Sequence, residues 1–170
     1  SYGNYDFVRV AGGLSGPIVE DKVAARLDGV FTRRDGFLED KVTGQDLNDR
    51  DRYLLRGQLL VEPTDDLSIR LIADYSDRDE NCCAPVVLQP GATVGLIQAL
   101  GGQVASGGTA DDPDPFSRRS ATSEGRGYQQ DVEEYGFSAE INWDVAFGQV
   151  TAISSYRNWE ALRSQDADFT

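Results

Sequence analysis

The residues best suited to chemistry are acidic side chains, which gather in two short runs. The run DLNDRD begins at Asp46 and the run DRDEN begins at Asp77, and the second places Asp, Asp and Asn at positions 1, 3 and 5 of a calcium loop. In the second run, however, Cys82 stands where a calcium loop needs its turn glycine, and Leu88 stands where it needs a bidentate Glu. The first run fails in the same way. We therefore expect solvated loops rather than a metal site, with an irregular calcium site as the weaker alternative.

Other arrangements that support catalysis or bind cofactors are missing from the sequence. The chain has no histidine, which excludes triads, general bases and metal sites built on imidazole. The segment EGRGYQQ lacks the third glycine of a dinucleotide-binding fingerprint and the lysine of a phosphate-binding loop. Carboxylates are plentiful, but none has an apolar setting that would raise its pKa for acid–base work. We predict that the protein is not an enzyme and binds no cofactor.

The only two cysteines, Cys82 and Cys83, are neighbours in the chain. Across a trans peptide their Cα atoms would lie about 3.8 Å apart, which is below the usual disulfide range of about 4.4–6.8 Å. We expect two separate thiols in a loop, or partners of cysteines elsewhere in a longer chain. A strained bond between the two neighbours is the alternative.

The composition limits the partners and the class of the protein. Its 29 acidic and 16 basic residues give a formal net charge of −13, which disfavours nucleic acid and anionic lipid headgroups as partners. The chain has 170 residues, no methionine, and a predicted strand directly after Ser1, so we expect it to be cut from a longer polypeptide. No apolar run approaches the roughly 20 residues of a membrane-spanning helix.

Strands must position these side chains, because apolar and polar residues alternate along most of the sequence. We predict an all-β fold, an antiparallel up-and-down meander of about six strands. The predicted strands cover residues 2–14, 23–37, 51–62, 67–79, 132–144 and 149–163. Short connections alternate with long ones, so all the short turns fall at one end of the sheet. Up-and-down membrane barrels have this asymmetry, whereas Greek-key sandwiches mix the two ends.

One face of the four central strands carries no charge. It comprises twenty alternate positions: Val23, Ala25, Leu27, Gly29, Phe31, Tyr53, Leu55, Gly57, Leu59, Val61, Leu67, Ile69, Leu71, Ala73, Tyr75, Tyr135, Phe137, Ala139, Ile141 and Trp143. A charge on a lipid-facing surface costs up to about 2–4 kcal/mol at mid-bilayer, so a membrane barrel requires such a stripe. A half-buried soluble sheet also alternates. The faces of the first and last predicted strands are ambiguous.

The interleaved positions contain many charges, and in a barrel they would face the lumen. The candidates are Arg26, Asp28, Arg56, Arg70, Asp74, Glu140 and Arg157. We expect these side chains mainly to pair across strands and hydrate a wide lumen. Contact with a plug or a substrate is the functional alternative.

Aromatic residues favour the membrane interpretation because they gather at both ends of the predicted strands. Those toward the long loops include Tyr5, Phe31, Tyr53, Tyr75, Tyr135, Tyr156 and Trp159. Trp143 lies at the short-turn end. Amphipathic rings are stable at the depth of lipid headgroups, whereas a soluble core would place rings in mid-strand. We predict an aromatic girdle and, with it, a segment of a large transmembrane β-barrel in contact with the lipid bilayer.

The longest connection divides the predicted barrel strands into two groups. Residues 1–79 would hold strands one to four, residues 80–131 a long extracellular loop, and residues 132–170 strands five and six. Within the loop a short helix is predicted near 92–104, with a stop at two consecutive glycines. Its apolar side, expected to pack against its own loop, comprises Leu96, Ile97, Leu100 and Val104. The polar segment TADDPDPFSRRSATSEGRGYQQ after it is expected to be mobile.

Three segments resemble a known family. They are LSGPIVEDKVAARLDGVFTRRDGF, DLNDRDRYLLRGQLLVEPTDDLSIRLIADYS and AISSYRNWE. Together they resemble the barrel of TonB-dependent outer-membrane receptors, particularly the set found in alphaproteobacteria of the sphingomonad and Caulobacter type. The similarity covers roughly residues 1–80 and 131–165. Its most specific parts are the SGPIVEDK turn with the strand after it and the LLVEPTDDLSIRLIADYS hairpin.

The resemblance implies an energised importer in the bacterial outer membrane, with a plugged barrel of about 22 strands. Such a receptor takes up a scarce nutrient from the extracellular side, of the siderophore, haem, vitamin or glycan class. Its partners would be its own plug domain and the TonB complex, and nucleic acid would not be one. This chain lacks a plug, a TonB-contacting segment and a terminal aromatic strand, so no functional residue of the family can be assigned to a position here.

Two other classes of function stay open. One is a passive porin or a structural outer-membrane barrel, which would have no plug. The other is a soluble, secreted β-sheet module that binds glycans or a protein. In that case a second layer would bury the apolar stripe, and the isolated chain would be a monomer in buffer.

Overall fold

The computed structural model of the chain describes residues 1–86, 88, 91–100, 114–123 and 125–166. Its ten strands are β1 (Tyr2–Gly3), β2 (Phe7–Val19), β3 (Val23–Arg34), β4 (Leu38–Asp40), β5 (Asp46–Leu47), β6 (Arg50–Thr64), β7 (Leu67–Asn81), β8 (Arg119–Ser120), β9 (Gln129–Val145) and β10 (Gly148–Arg163). Helix α1 (Val94–Ala99) and a single 3-10 turn at Pro115–Ser117 are the helical elements of the described residues. The protein is therefore all-β with almost no helix, as the alternating sequence predicts.

Seven strands form the main sheet in the order β1-β2-β3-β6-β7-β9-β10. Every neighbouring pair is antiparallel, so the predicted meander is confirmed. Six of the strands have 12 to 17 residues each, and the seventh, β1, has two. The sheet formed by the described residues does not close into a barrel, and β1 and β10 are its two edges.

The short connections lie where the sequence predicts them. Tight turns join β2 to β3, β6 to β7 and β9 to β10, all at one end of the sheet. Pairing also extends beyond the predicted bounds. Strand β2 continues to Val19 rather than residue 14, and β9 begins at Gln129 rather than residue 132. Strands lengthen in this way because each further residue satisfies backbone donors and acceptors that would otherwise be left unpaired.

The two long connections pack together at the opposite end of the sheet. We call residues 35–49, 82–86, 114–123 and 125–128 the cap. It contains a three-stranded sheet in the order β5-β4-β8, in which β4 pairs antiparallel with β5 and parallel with β8. The buried apolar cluster of the described residues also lies here, formed by Leu38, Leu47, Ala84 and Tyr128, with Val86 against it.

The expectation of a mobile polar segment before β9 is wrong for residues 120–122 and 128, which pack into the cap. Ser120, Ala121 and Thr122 are buried, and so is Tyr128. Backbone hydrogen bonds hold the segment, since the Lys41 amide donates to the Ser120 carbonyl at 2.9 Å. The sequence did not reveal this packing because the contacts join residues about 80 positions apart, and local polarity says nothing about such contacts.

The predicted helix forms, although it is shorter than expected. Its apolar side does not pack as predicted, because Leu96 and Leu100 are exposed and none of its residues is buried. Gly101, Gly102 and Val104, which the prediction placed at the end of the helix, lie outside the described residues.

The expectation of two separate thiols is also wrong, because Cys82 and Cys83 form a disulfide. That expectation assumed a trans peptide, and the peptide bond between these residues is cis. The Cys82 amide donates to the Tyr128 carbonyl at 2.7 Å. The disulfide therefore lies where β7 leads into the cap.

Candidate functional site

The register of the main sheet brings the predicted uncharged positions onto one face. In β3 and β6, Ala25 lies opposite Leu59, and in β6 and β7, Leu59 lies opposite Leu71. Leu71 in turn lies opposite Ala139 of β9. The same alignment holds along the four strands, because side chains alternate between faces with a period of two residues. We call this surface the apolar face.

The apolar face is open to its surroundings along its length. Leu27 and Leu55 are each 51% exposed, Phe137 is 58% exposed and Trp143 is 53% exposed. The faces of the outer strands, which the sequence left ambiguous, follow from their pairing: Val10 lies opposite Phe31, so it belongs to the apolar face. A soluble half-buried sheet would cover such a surface with a second layer, and the described residues supply none.

Aromatic rings cross the apolar face near the cap. The Tyr53 and Tyr75 ring centroids lie 5.7 Å apart, and those of Tyr135 and Tyr156 lie 6.3 Å apart. Tyr75 is the register partner of Tyr135 and Phe31 is that of Tyr53, which makes one continuous row across five strands. At the opposite end, Trp143 lies between Leu67 and Val150 in neighbouring strands.

Two residues of the predicted girdle lie elsewhere. Trp159 is two residues from Arg157 in the regular strand β10, so it shares the charged face of the sheet rather than the face of Tyr156. Tyr5 lies in the turn between β1 and β2, where its ring is 6.1 Å from that of Phe37 in the cap. The sequence placed both residues in the girdle because they lie near predicted strand ends. The face on which a side chain lies depends instead on the register of its strand.

The opposite face, which we call the polar face, carries a row of charges that runs straight across the strands. Asp28 of β3 lies opposite Arg56 of β6, and Arg56 lies opposite Asp74 of β7. The row continues through Gly136 of β9 to Arg157 of β10. The signs alternate along this row, an arrangement that favours cross-strand attraction.

Glycine lets the row extend across β9. The Arg157 guanidinium crosses Gly136 to reach Asp74, with Nη2 3.1 Å from the Asp74 carboxylate, and it also binds Glu134. A Cβ at position 136 would lie 3.1 Å from that Nη2 atom, so a side chain here would crowd the ion pair. Similarly, a Cβ at Gly13 would lie 2.5 Å from an oxygen of Asp28.

The remaining lumen-facing candidates lie on the same face, closer to the short turns. Arg26 binds Asp28 at 2.7 Å within β3. Arg70 lies opposite Glu140, and both line a depression of about 520 Å³ together with Arg26. The structure thus brings all seven predicted charged residues to one face, and their role toward a lumen stays a prediction.

Sequence reasoning missed several residues that organise the polar face and its junction with the cap. Gly136 and Gly13 were overlooked because a glycine on a strand gives no signal without its neighbour across the sheet. Glu80, which is 1% exposed, binds Arg52 through a bidentate ion pair at the cap end. The sequence predicts an acidic loop at Glu80, because its ion-pair partner Arg52 is 28 residues away in the chain.

The cap is attached to the sheet through polar side chains. The Asn48 side chain donates to the Ala84 carbonyl at 3.0 Å and accepts from the Ala84 amide at 2.8 Å. Asp49 accepts from the Asn81 amide at 2.6 Å, and burial raises the pKa of this carboxyl despite that hydrogen bond. The cap is therefore fixed over the end of the sheet.

Among the described residues, no group of three or more acidic or cysteine side chains is arranged to hold a metal ion. No helix in the described part of the chain is long and apolar enough to cross a membrane. No known protein-family profile matches the chain. A search of solved structures also found no significant match.

Proposed function

We propose that the chain forms part of the wall of an outer-membrane transport barrel, of the TonB-dependent receptor class that its sequence resembles. In this role the protein takes up a scarce nutrient from outside the cell. The long strands would cross the bilayer, with the polar face toward the lumen and the cap on the extracellular side.

One observation supports the proposal most directly, the exposed apolar face without charge. An exposed apolar surface of this extent is unfavourable in water and favourable against hydrocarbon. The aromatic row near the cap and Trp143 at the other end lie where headgroups would meet such a surface. In a bilayer each end of the apolar face would then meet amphipathic rings.

Two further features, the polar face and the cap, favour a role in the passage of a solute. Paired charges such as Arg157 and Asp74 remain stable in a hydrated lumen, where neither has to lose its water. The packed cap would narrow the outer opening and present loop residues to an arriving nutrient. The resemblance supplies the class of transport, and the energy source would lie outside this chain.

Cell fractionation tests the proposal. An antibody raised against this chain is used to locate the native polypeptide in fractionated source cells. We expect a band several times larger than 18.6 kDa in the outer membrane, with a mobility that changes on heating. A band near 18.6 kDa in the soluble fraction would overturn the proposal and favour a soluble β-sheet module.

The nature of the native polypeptide separates a receptor from a passive porin. Sequencing of the purified outer-membrane band should reveal a plug domain with a short TonB-contacting segment. A band without a plug would assign the chain to a porin or a structural barrel instead.

A further inference from the structure

Arginines concentrate on the polar face directly beneath the cap. Arg34 of β3 lies opposite Arg50 of β6, and Arg52 of β6 lies opposite Arg78 of β7. We call these four residues the arginine cluster. On the same two rows of the sheet, β2 adds Arg9 and β10 adds Arg163.

The pairing within the cluster is unusual for this sheet. Like charges directly opposite one another destabilise a strand pair unless a counter-charge compensates them. A few residues away, the row from Asp28 through Arg56 to Asp74 alternates in sign. The cluster departs from that alternation at two neighbouring cross-strand pairs, so its positive charge needs a balancing anion.

The described residues provide little of that balance. Glu80 is the only carboxylate among them that forms an ion pair with the cluster, and it binds Arg52 alone. Two donors, the Nε atoms of Arg34 and Arg78, are buried without a partner within the described part of the chain. A buried donor that lacks an acceptor is costly, and an acceptor from a ligand would remove that cost.

Charge is also separated across the sheet at this level. The neighbouring positions of the other face hold one arginine, Arg33 opposite Asp51, and a larger number of carboxylates: Asp51, Asp77, Asp79, Asp131 and Glu133. A chain with a net charge of −13 thus collects arginines on the face toward the proposed lumen and carboxylates on the face away from it. An anion would be attracted to the polar face and repelled from the rim of the apolar face.

The cap gives the cluster a defined boundary. The Arg34 guanidinium donates to the Asn48 carbonyl, and Asn48 is itself held by Ala84. Arg34, Arg52 and Arg78 are half-buried, whereas Arg50 is exposed. Planar guanidinium groups held in this way can each offer two parallel N–H donors to a carboxylate or a phosphate.

We propose that the arginine cluster binds a small multivalent anion that presents carboxylate or phosphate oxygens. The assignment deepens the proposed function and rests on it, because the proposed function places the cap on the extracellular side. An anionic nutrient that enters from outside would then reach the cluster just below the cap.

Calorimetric titration of the full natural protein, purified in detergent, tests the assignment. Citrate represents carboxylates, pyrophosphate represents phosphates, and sucrose is the neutral control. We expect saturable binding of at least one anion, weakened by salt, and no binding of sucrose. The anion that binds more tightly identifies the oxygen chemistry of the ligand.

Variants then locate the binding to the cluster. Arg50→Gln and Arg78→Gln should each weaken anion binding about tenfold or more, since each removes charge-assisted hydrogen bonds. Arg78→Lys should recover part of the affinity, because lysine keeps the charge but lacks the planar guanidinium that donates two parallel hydrogen bonds. Arg70→Gln is the matched control on the same face and strand, and it should bind as the natural protein does.

Two outcomes would overturn the assignment. One is the absence of binding by a protein whose heat-dependent mobility shows it to be folded, which would leave the proposed function intact. The other is an equal loss of affinity in Arg70→Gln, which would mean diffuse attraction without a site. If the protein instead fractionates as soluble, the proposed function fails, and the titration still decides whether the cluster binds an anion.

Discussion

Gly136 matters because it leaves room for a charged neighbour. The Arg157 guanidinium lies 3.2 Å, at Cζ, from the place where a Cβ of residue 136 would be. We expect Gly136→Val to displace this group from Asp74 and to lower the unfolding temperature of the folded protein by a few degrees. Heat-dependent mobility on gels, recorded over a temperature series, measures the shift.

Gly57→Val is the matched control for that substitution. Position 57 lies on a central strand of the same sheet, and nothing lies within 4 Å of its added Cβ. Valine has a higher strand propensity than glycine, so this variant should unfold at the same temperature or a higher one. Equal losses in both variants would mean that the ion pair across Gly136 contributes nothing measurable.

Single residues on the two faces should respond differently to an added charge. Leu59 and Leu71 are register partners on the apolar face, whereas Gln58, next to Leu59 in β6, lies on the polar face opposite Ile72. We expect Leu59→Arg or Leu71→Arg to impair insertion of the parent protein into lipid vesicles, at a cost of about 2–4 kcal/mol near mid-bilayer. Gln58→Arg should insert normally. Equal folding yields for all three variants would refute the assignment of the faces.

At the scale of elements, the strands could be predicted and the cap could not. Alternation is a local signal, and it placed six long strands and the shared face of Leu59 and Leu71 correctly. The cap depends on contacts such as that between Asp40 and Thr122, which are 82 residues apart. Local composition suggested a mobile loop because such contacts leave no periodic pattern in the sequence.

Asp40 is the polar centre of the cap and should make it sensitive to acid. The carboxylate is 1% exposed and accepts hydrogen bonds from the Val42 and Thr122 amides and the Thr43 hydroxyl. Burial alone would raise the pKa of Asp40, but these hydrogen bonds outweigh it and lower the pKa below the ordinary value of 3.8. The Asp40 carboxylate therefore stabilises the cap at pH values above the ordinary pKa. This contribution is lost as the pH falls through the lowered pKa of the folded protein.

Hydrogen exchange at the Thr122 amide measures this effect. After correction for the intrinsic exchange rate, protection should be constant from pH 7 to about pH 5 and should fall below about pH 4. Asp40→Ala should reduce protection at every pH, by about 1–3 kcal/mol, because it leaves buried amides without an acceptor. Asp46→Ala, at an exposed cap position, is the control. Protection that is unchanged at pH 3 in the natural chain would contradict the role of Asp40.

At the scale of the whole molecule, the distribution of side chains reverses that of a water-soluble domain. The deepest apolar burial in the described chain lies in the cap, around Leu38 and Tyr128, whereas the main sheet leaves its apolar face exposed. The sequence predicted the uncharged face from charge patterning alone, whereas the burial in the cap was not predicted. It could not foretell the arginine cluster, because that grouping depends on the register between three strands.

The behaviour of the isolated 170-residue chain follows from the open sheet. Strand β10 exposes unpaired backbone groups along one edge, and β1 with the rest of β2 does so along the other. The apolar face adds a large surface that water does not favour. We expect the chain to associate in buffer despite its net charge of −13, and to become monodisperse when detergent covers the apolar face. Light scattering coupled to size-exclusion chromatography, with and without detergent, distinguishes the two states. A stable monomer in plain buffer would mean that the apolar face is covered within the chain itself, and a soluble β-sheet module would then be the better interpretation.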